Sequence, residues 1–229
     1  MTTENHIYQR ASGILSAVYA WMVPALILTG LVAYAGAYVS PFNTLIMQHP
    51  TAILLTVIIA QFIFLFTIPK AIKRLSSPTA GLLFFLFSVL NGIMLSSIFF
   101  AYTTSSIINT FFIAAGMFGG LALYGFFTKK DLTAMGTFLS LALWGFLLAL
   151  IINLFVQSKA ANITFSFIGV LIFAGLTAYD VQRIKQLSYD LFADDETYAK
   201  VAILGALSLY LDFINLFINL LSLMGTRKK

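Results

Sequence analysis

Seven apolar blocks, each nearly free of charge and close to bilayer-crossing length, leave this chain few ways to fold. They run Leu15–Val39, Ala52–Pro69, Thr79–Tyr102, Ile107–Thr128, Ala134–Val156, Ile163–Tyr179 and Val201–Met224. A membrane helix needs about 20 apolar residues, so seven spans take about 140 residues. That fits a chain of 229 residues with 60% hydrophobic and 9% charged side chains. A soluble domain carries about a quarter charged residues, and disorder needs low hydrophobicity with high charge, so both classes are excluded. The expectation is an all-α, polytopic membrane protein of seven transmembrane helices. Residues 1–229 would form a single integral membrane domain, with no room for a second soluble one. Pro24 falls inside the first block and is expected to kink it, with neighbouring helices satisfying the freed carbonyl.

The links between blocks carry the charge. Arg10, Lys70, Lys73, Arg74, Lys129, Lys130, Arg183, Lys185 and Lys200 fall on one side; Lys159, Arg227, Lys228 and Lys229 fall on the other. Cytoplasmic loops collect Lys and Arg, which puts the N-terminus in the cytoplasm and the C-terminus outside. An even number of spans would move the last three charges inside and make block six or seven a re-entrant hairpin. The net charge of +5 therefore reads as topology rather than nucleic-acid binding. The first apolar run is too long for a signal-peptide core and reads as a retained helix.

An ionisable acid within a membrane is costly, so it is a functional candidate. Six of the eight acidic residues lie in tails or links, which leaves Asp180 and Asp212. Asp212 falls eleven residues into the last block. At helical spacing Ser208, Asp212, Asn215, Asn219 and Ser222 form one stripe on an otherwise apolar helix. Such a stripe needs a cavity or a polar partner helix, and is read as pore-facing; hydrogen-bonded glue between helices is the plainer alternative for its Asn and Ser. Asp180 closes the sixth block on a face shared with Ser166, Gly169, Phe173 and Thr177. Either it is an interfacial carboxylate at a helix end, or the helix runs on through Ile184 and buries it. The first option sits poorly with the negative end of the helix dipole.

Two carboxyls close together in a low dielectric do not readily both ionise; one keeps its proton and donates a hydrogen bond to the other. Such a pair is a pH switch and could hold a cation transiently. The nearest fixed cations are Lys73 and Arg74, at the inner end of the second block, either a latch for a free carboxylate or simply topology signals. Gly116 and Gly120, with Gly119 and Gly125 nearby, suggest close helix packing, as do Gly92 and Gly145.

Several chemistries are missing. There is no cysteine, and the two histidines, His6 and His49, lie outside the blocks, which excludes an intramembrane Ser-His dyad. No HExxH metalloprotease motif and no phosphate-binding glycine loop ending in Lys is present. Asp212 follows Leu-Tyr-Leu rather than the Gly-x-Gly of intramembrane aspartyl proteases. An enzyme is the least expected class.

The segments Gly175-Leu-Thr-Ala-Tyr-Asp-Val-Gln-Arg-Ile-Lys185 and Leu204-Gly-Ala-Leu-Ser-Leu-Tyr-Leu-Asp-Phe-Ile-Asn-Leu-Phe217 carry a family resemblance. Ala115-Gly-Met-Phe-Gly119 and Thr128-Lys-Lys-Asp-Leu132 support it. Over nearly its whole length the chain resembles a bacterial member of the Bax-inhibitor-type, or transmembrane Bax inhibitor motif, family. The resemblance implies seven helices with the last one central, in the bacterial inner membrane. It implies a pH-dependent calcium leak gated by a pair of aspartates, which fall on Asp180 and Asp212. A family arginine at the inner end of helix two falls on Arg74. The expected function is a passive, pH-sensitive cation leak with calcium as the permeant ion and no cofactor, its partners being lipid, calcium and protons. The alternatives are a proton-coupled transporter using the same acids, and a non-transporting regulator of stress response or proteolysis that binds other membrane proteins.

Overall fold

The computed structural model describes residues 3–71, 75–156, 159–190 and 195–228. Among them the chain is helical: α1 Thr3–Tyr38, α2 Phe42–Gln48, α3 Pro50–Ala71, α4 Ser77–Leu95, α5 Ile98–Ala101, α6 Thr104–Phe127, α7 Thr133–Val156, α8 Lys159–Asp190 and α9 Asp195–Met224. Six stretches are long and apolar enough to cross a membrane: Ser12–Tyr38, Ser77–Ala101, Thr104–Phe127, Thr133–Asn153, Ala161–Leu187 and Asp195–Met224. The bent pair Phe42–Gln48 and Thr51–Phe64 makes seven if it counts as one span. The all-α membrane architecture thus stands. Pro24 lies within α1, which stays helical on both sides of it.

The apolar blocks set the helices, but several ends differ from the sequence expectation. The third block breaks after Leu95 into α4 and the short α5. Two serines explain the break: Ser96 Oγ donates to the Ile93 carbonyl at 2.6 Å and Ser97 Oγ to the Met94 carbonyl at 2.9 Å. Such back-bonding competes with the helical ladder. The sixth helix does not stop at Tyr179; it continues to Asp190, with Val181, Gln182 and Ile184 buried. The last begins at Asp195, six residues before its apolar block, with Asp195 and Glu196 in a first turn whose dipole favours acids.

By its contacts the chain divides into two compact units. One holds residues 1–12, 104–190 and 208–226; the other holds 13–103, 191–207 and 227–229. In the second, Gly92 exists for close approach. A Cβ there would meet Val32 Cβ at 2.6 Å and the Thr29 carbonyl at 2.8 Å. Thr29 Oγ1 reaches the Ala25 carbonyl at 2.9 Å and the Ser88 carbonyl at 3.0 Å, tying α1 to α4. Glu196 caps α4: Ser77 N donates to Oε1 at 2.7 Å and Ser77 Oγ to Oε2 at 2.8 Å. An anion at a helix N-terminus satisfies donors left over there. Lys200 sits 3.3 Å from the same carboxylate.

In the first unit α8 packs on α6 and α7. A Cβ on Gly125 would strike the Ala178 carbonyl, and one on Gly136 would strike the Tyr179 ring. A Cβ on Gly116, Gly119, Gly120 or Gly145 would meet nothing within 4 Å among the described residues. The small-residue packing expected at Gly92 and Gly125 is present, Gly136 adds to it, and the spaced pair in α6 takes no part. The most apolar window of α9 is 67% buried, against 11% for α7, so the last helix is the best-covered span.

Candidate functional site

The two acids singled out by sequence both lie in the first unit. α9 presents two working faces there. Phe213 packs edge-on against Phe111 and Phe118 of α6, each with ring centroids 5.6 Å apart, and Phe217 against Phe111 at 6.3 Å. Another face carries the polar stripe and meets α8. Ser166 Oγ donates to Ser222 Oγ at 2.8 Å, and the Asn219 side chain lies where a Cβ on Gly169 would be. The sixth apolar block is thus the stripe's polar partner at this level.

These two contacts fix an antiparallel register, three residues forward on α8 matching three back on α9. Continued at that spacing, it sets Asp180 level with Ser208. Asp212 then lies one turn away, about 6 Å along the axis. Asp212 is 5% exposed, and its Oδ2 is buried with no hydrogen-bond partner. Asp180 is half-buried. An unpaired carboxylate oxygen inside apolar surroundings is costly and stands ready for a proton or a ligand.

The remaining stripe residues are partly spoken for. Asn215 Nδ2 donates to the Leu211 carbonyl at 2.8 Å and Asn219 Nδ2 to the Asn215 carbonyl at 2.8 Å. Their donors serve their own helix, so the amide oxygens are what the stripe offers a neighbour. Ser222 is the glue residue, through Ser166, and Ser208 is half-buried. Lys73 and Arg74 lie outside the described residues. Arg183 lies one turn along α8 from Asp180 and is exposed. Among the described residues, no group of three or more His, Cys, Asp or Glu gathers where a metal could sit.

Sequence reasoning overlooked the residues that hold α8 around Asp180. Gln182 is buried, and its amide pairs with the α6–α7 turn. Leu132 N donates to Oε1 at 2.8 Å, and Nε2 donates to the Lys130 carbonyl at 2.8 Å. Lys185 Nζ donates to the Phe126 carbonyl at 2.7 Å, near the C-terminus of α6 where carbonyls are left unpaired. The only signal for either was its place in the family segment, which named the helix and not the contact. The turn is self-supporting too: Asp131 Oδ1 accepts from Thr133 N at 2.9 Å. The Thr133 side chain and backbone hold the Asp131 carboxyl below its ordinary value of 3.8. Asp131 therefore keeps its charge down to acidic pH, and its contribution fades only as pH falls through that lowered value.

The family model for inhibitors of apoptosis-promoting Bax1 matches residues 11–229. The chain belongs to that family. It is 42% identical over 215 residues to the inner membrane protein YbhL of Escherichia coli K12, covering 93% of this chain and 92% of the relative. A protein of Borreliella burgdorferi is 41% identical over 214 residues, covering 93% and 92%. One of Deinococcus radiodurans is 37% identical over 225 residues, covering 98% and 95%. With YbhL among its relatives and six to seven apolar helices, this Bax inhibitor family member is a multi-pass protein of the inner membrane, in keeping with a membrane channel or regulator.

Proposed function

We propose that this Bax inhibitor family protein is a passive, pH-sensitive cation leak pathway, with calcium as the permeant ion and Asp180 and Asp212 as its gate. The observation that carries this is the Asp212 carboxyl, buried with an unpartnered oxygen and, by the α8–α9 register, about one helical turn from a second acid. Glue between helices needs no ionisable group, and an isolated charge there is expensive. At acidic pH the pair shares a proton and α8 and α9 stay together. As pH rises the proton leaves, two negative charges repel, and the opening attracts a divalent cation. The amide oxygens of Asn215 and Asn219 continue the polar stripe away from the acids, in keeping with a cation rather than an anion. No enzymatic step and no cofactor enters this scheme.

Purified protein in calcium-free liposomes should pass calcium down its gradient faster at basic than at acidic pH, without moving protons in a fixed ratio. Uptake driven uphill by a proton gradient would instead make it a proton-coupled transporter using the same acids. Absence of flux at every pH would leave a regulator acting through other membrane proteins. In the orientation the basic links favour, the N-terminus is cytoplasmic, the C-terminus is outside, and Asp180 lies toward the cytoplasmic mouth. Reporters fused after Lys229 should be active only when they work outside the cytoplasm; cytoplasmic activity reverses the assignment.

A further inference from the structure

Asp180 sits in the middle of a stretch of α8 that is gripped from one side. Two residues before it, the Ala178 carbonyl lies against Gly125 of α6; one residue before it, the Tyr179 ring lies on Gly136 of α7. Two residues after it, Gln182 makes both of its hydrogen bonds to the turn joining those helices. Five residues after it, Lys185 holds the Phe126 carbonyl, with its ammonium 5.2 Å from the Phe126 ring centroid. On the other side, the described attachments of α8 to the polar stripe of α9 are at Ser166 and Gly169, more than two turns away. Asp212 adds none through its buried Oδ2.

We infer that Gln182 is a positioning residue for Asp180: by fastening α8 to the α6–α7 turn, it fixes where α8 holds that carboxyl. This rests on the leak mechanism proposed above and assigns a part that the acids alone do not.

The chemistry explains why a glutamine stands there. The turn presents a buried N–H at Leu132 and a carbonyl at Lys130, and a neutral amide supplies an acceptor and a donor at once. The orientation of the amide is fixed, because an N–H only donates and a carbonyl only accepts. Gly125 and Gly136 are the complement, since any side chain there would push α8 away from the turn. A carboxyl held this way keeps its distance from water. Released, it would drift toward solvent, where it gives up a proton more readily. The charged and titrating groups on these stretches are Arg183 and Lys185 on α8, Asp212 on α9, and Lys129, Lys130 and Asp131 on the turn. Asp131 stays ionised across the neutral range and does not set a gate that works there.

The test uses the full-length protein. It has no cysteine, so spin labels attach only where one is introduced. Labels at Ala134→Cys and Leu187→Cys, both exposed, report the separation of α7 and α8. In the parent protein that separation should be narrowly distributed and equal at acidic and basic pH. Gln182→Leu should broaden it and move the midpoint of calcium flux toward lower pH by about half to one unit. Gln182→Glu keeps the acceptor for Leu132 and, when protonated, the donor for Lys130. It should give a narrow distribution at acidic pH and a broad one at basic pH, which covers the case of a Leu variant that fails to fold. An α7–α8 distance that changes with pH in the parent protein would overturn the inference. So would a Gln182→Leu protein with parental width, or with a broadened distance and an unmoved flux midpoint. The distance measurement needs no flux, so its failure is distinct from failure of the leak mechanism.

Discussion

Gly125→Ala should lower the thermal midpoint of the detergent-purified protein by about 5–10 °C, while Gly116→Ala and Gly120→Ala leave it within about 2 °C of the parent. The added methyl at Gly125 meets the backbone carbonyl of Ala178, which a side-chain rotation does not clear. α6 and α8 must move apart, and overpacking of this kind costs about 1–3 kcal/mol and sometimes more. At Gly116 and Gly120 the same methyl meets nothing within 4 Å, and alanine is the better helix former. Fluorescence-detected size-exclusion after heating, run on the three variants side by side, reads the difference. Equal losses at all three positions would mean that the spaced pair in α6 packs as its motif suggests.

Asp212→Asn should abolish most of the pH response of calcium flux. A gate set by one proton changes its open fraction by up to about tenfold per pH unit; the variant should change by less than about twofold over the same interval. Asparagine keeps the size and a hydrogen-bonding end but does not titrate in this range. Asp180→Asn should act in the same direction, and the double variant should resemble either single one, because the two groups work as a unit rather than additively. Flux measured across a pH series in liposomes tests all three. A full pH response in Asp212→Asn places the sensor elsewhere, and strictly additive effects would mean that the acids titrate independently.

Much of this was legible in the sequence, for a physical reason. In lipid the backbone must satisfy itself, so long uncharged runs become helices almost regardless of context. The two acids stood out because an intramembrane carboxyl is rare and costly. The α9 stripe was legible from spacing, and its partner helix was one of two options left open. What escaped detection depends on contacts between distant residues. The acid at Asp180 ends an apolar block, yet α8 runs ten residues further because Gln182 and Lys185 find partners on the α6–α7 turn. Glu196 is one of the six acids that the sequence places in tails or links, yet its carboxylate caps α4, 119 residues away in sequence. Of the glycines the sequence suggests for close packing, Gly92 and Gly125 are closely approached while Gly116 and Gly120 are not, and Gly136 adds a close approach that no short motif marks. Lys73 and Arg74 lie outside the described residues.

The central claim, that one proton is held between Asp180 and Asp212, is tested most directly by infrared difference spectroscopy of the reconstituted protein during a pH titration. The mechanism predicts a protonated-carboxyl band at acidic pH that vanishes as pH rises, is absent from Asp212→Asn or Asp180→Asn, and disappears over the pH range in which flux increases. A band that survives unchanged in both variants, or the absence of any protonated carboxyl at the pH where flux is lowest, would contradict it.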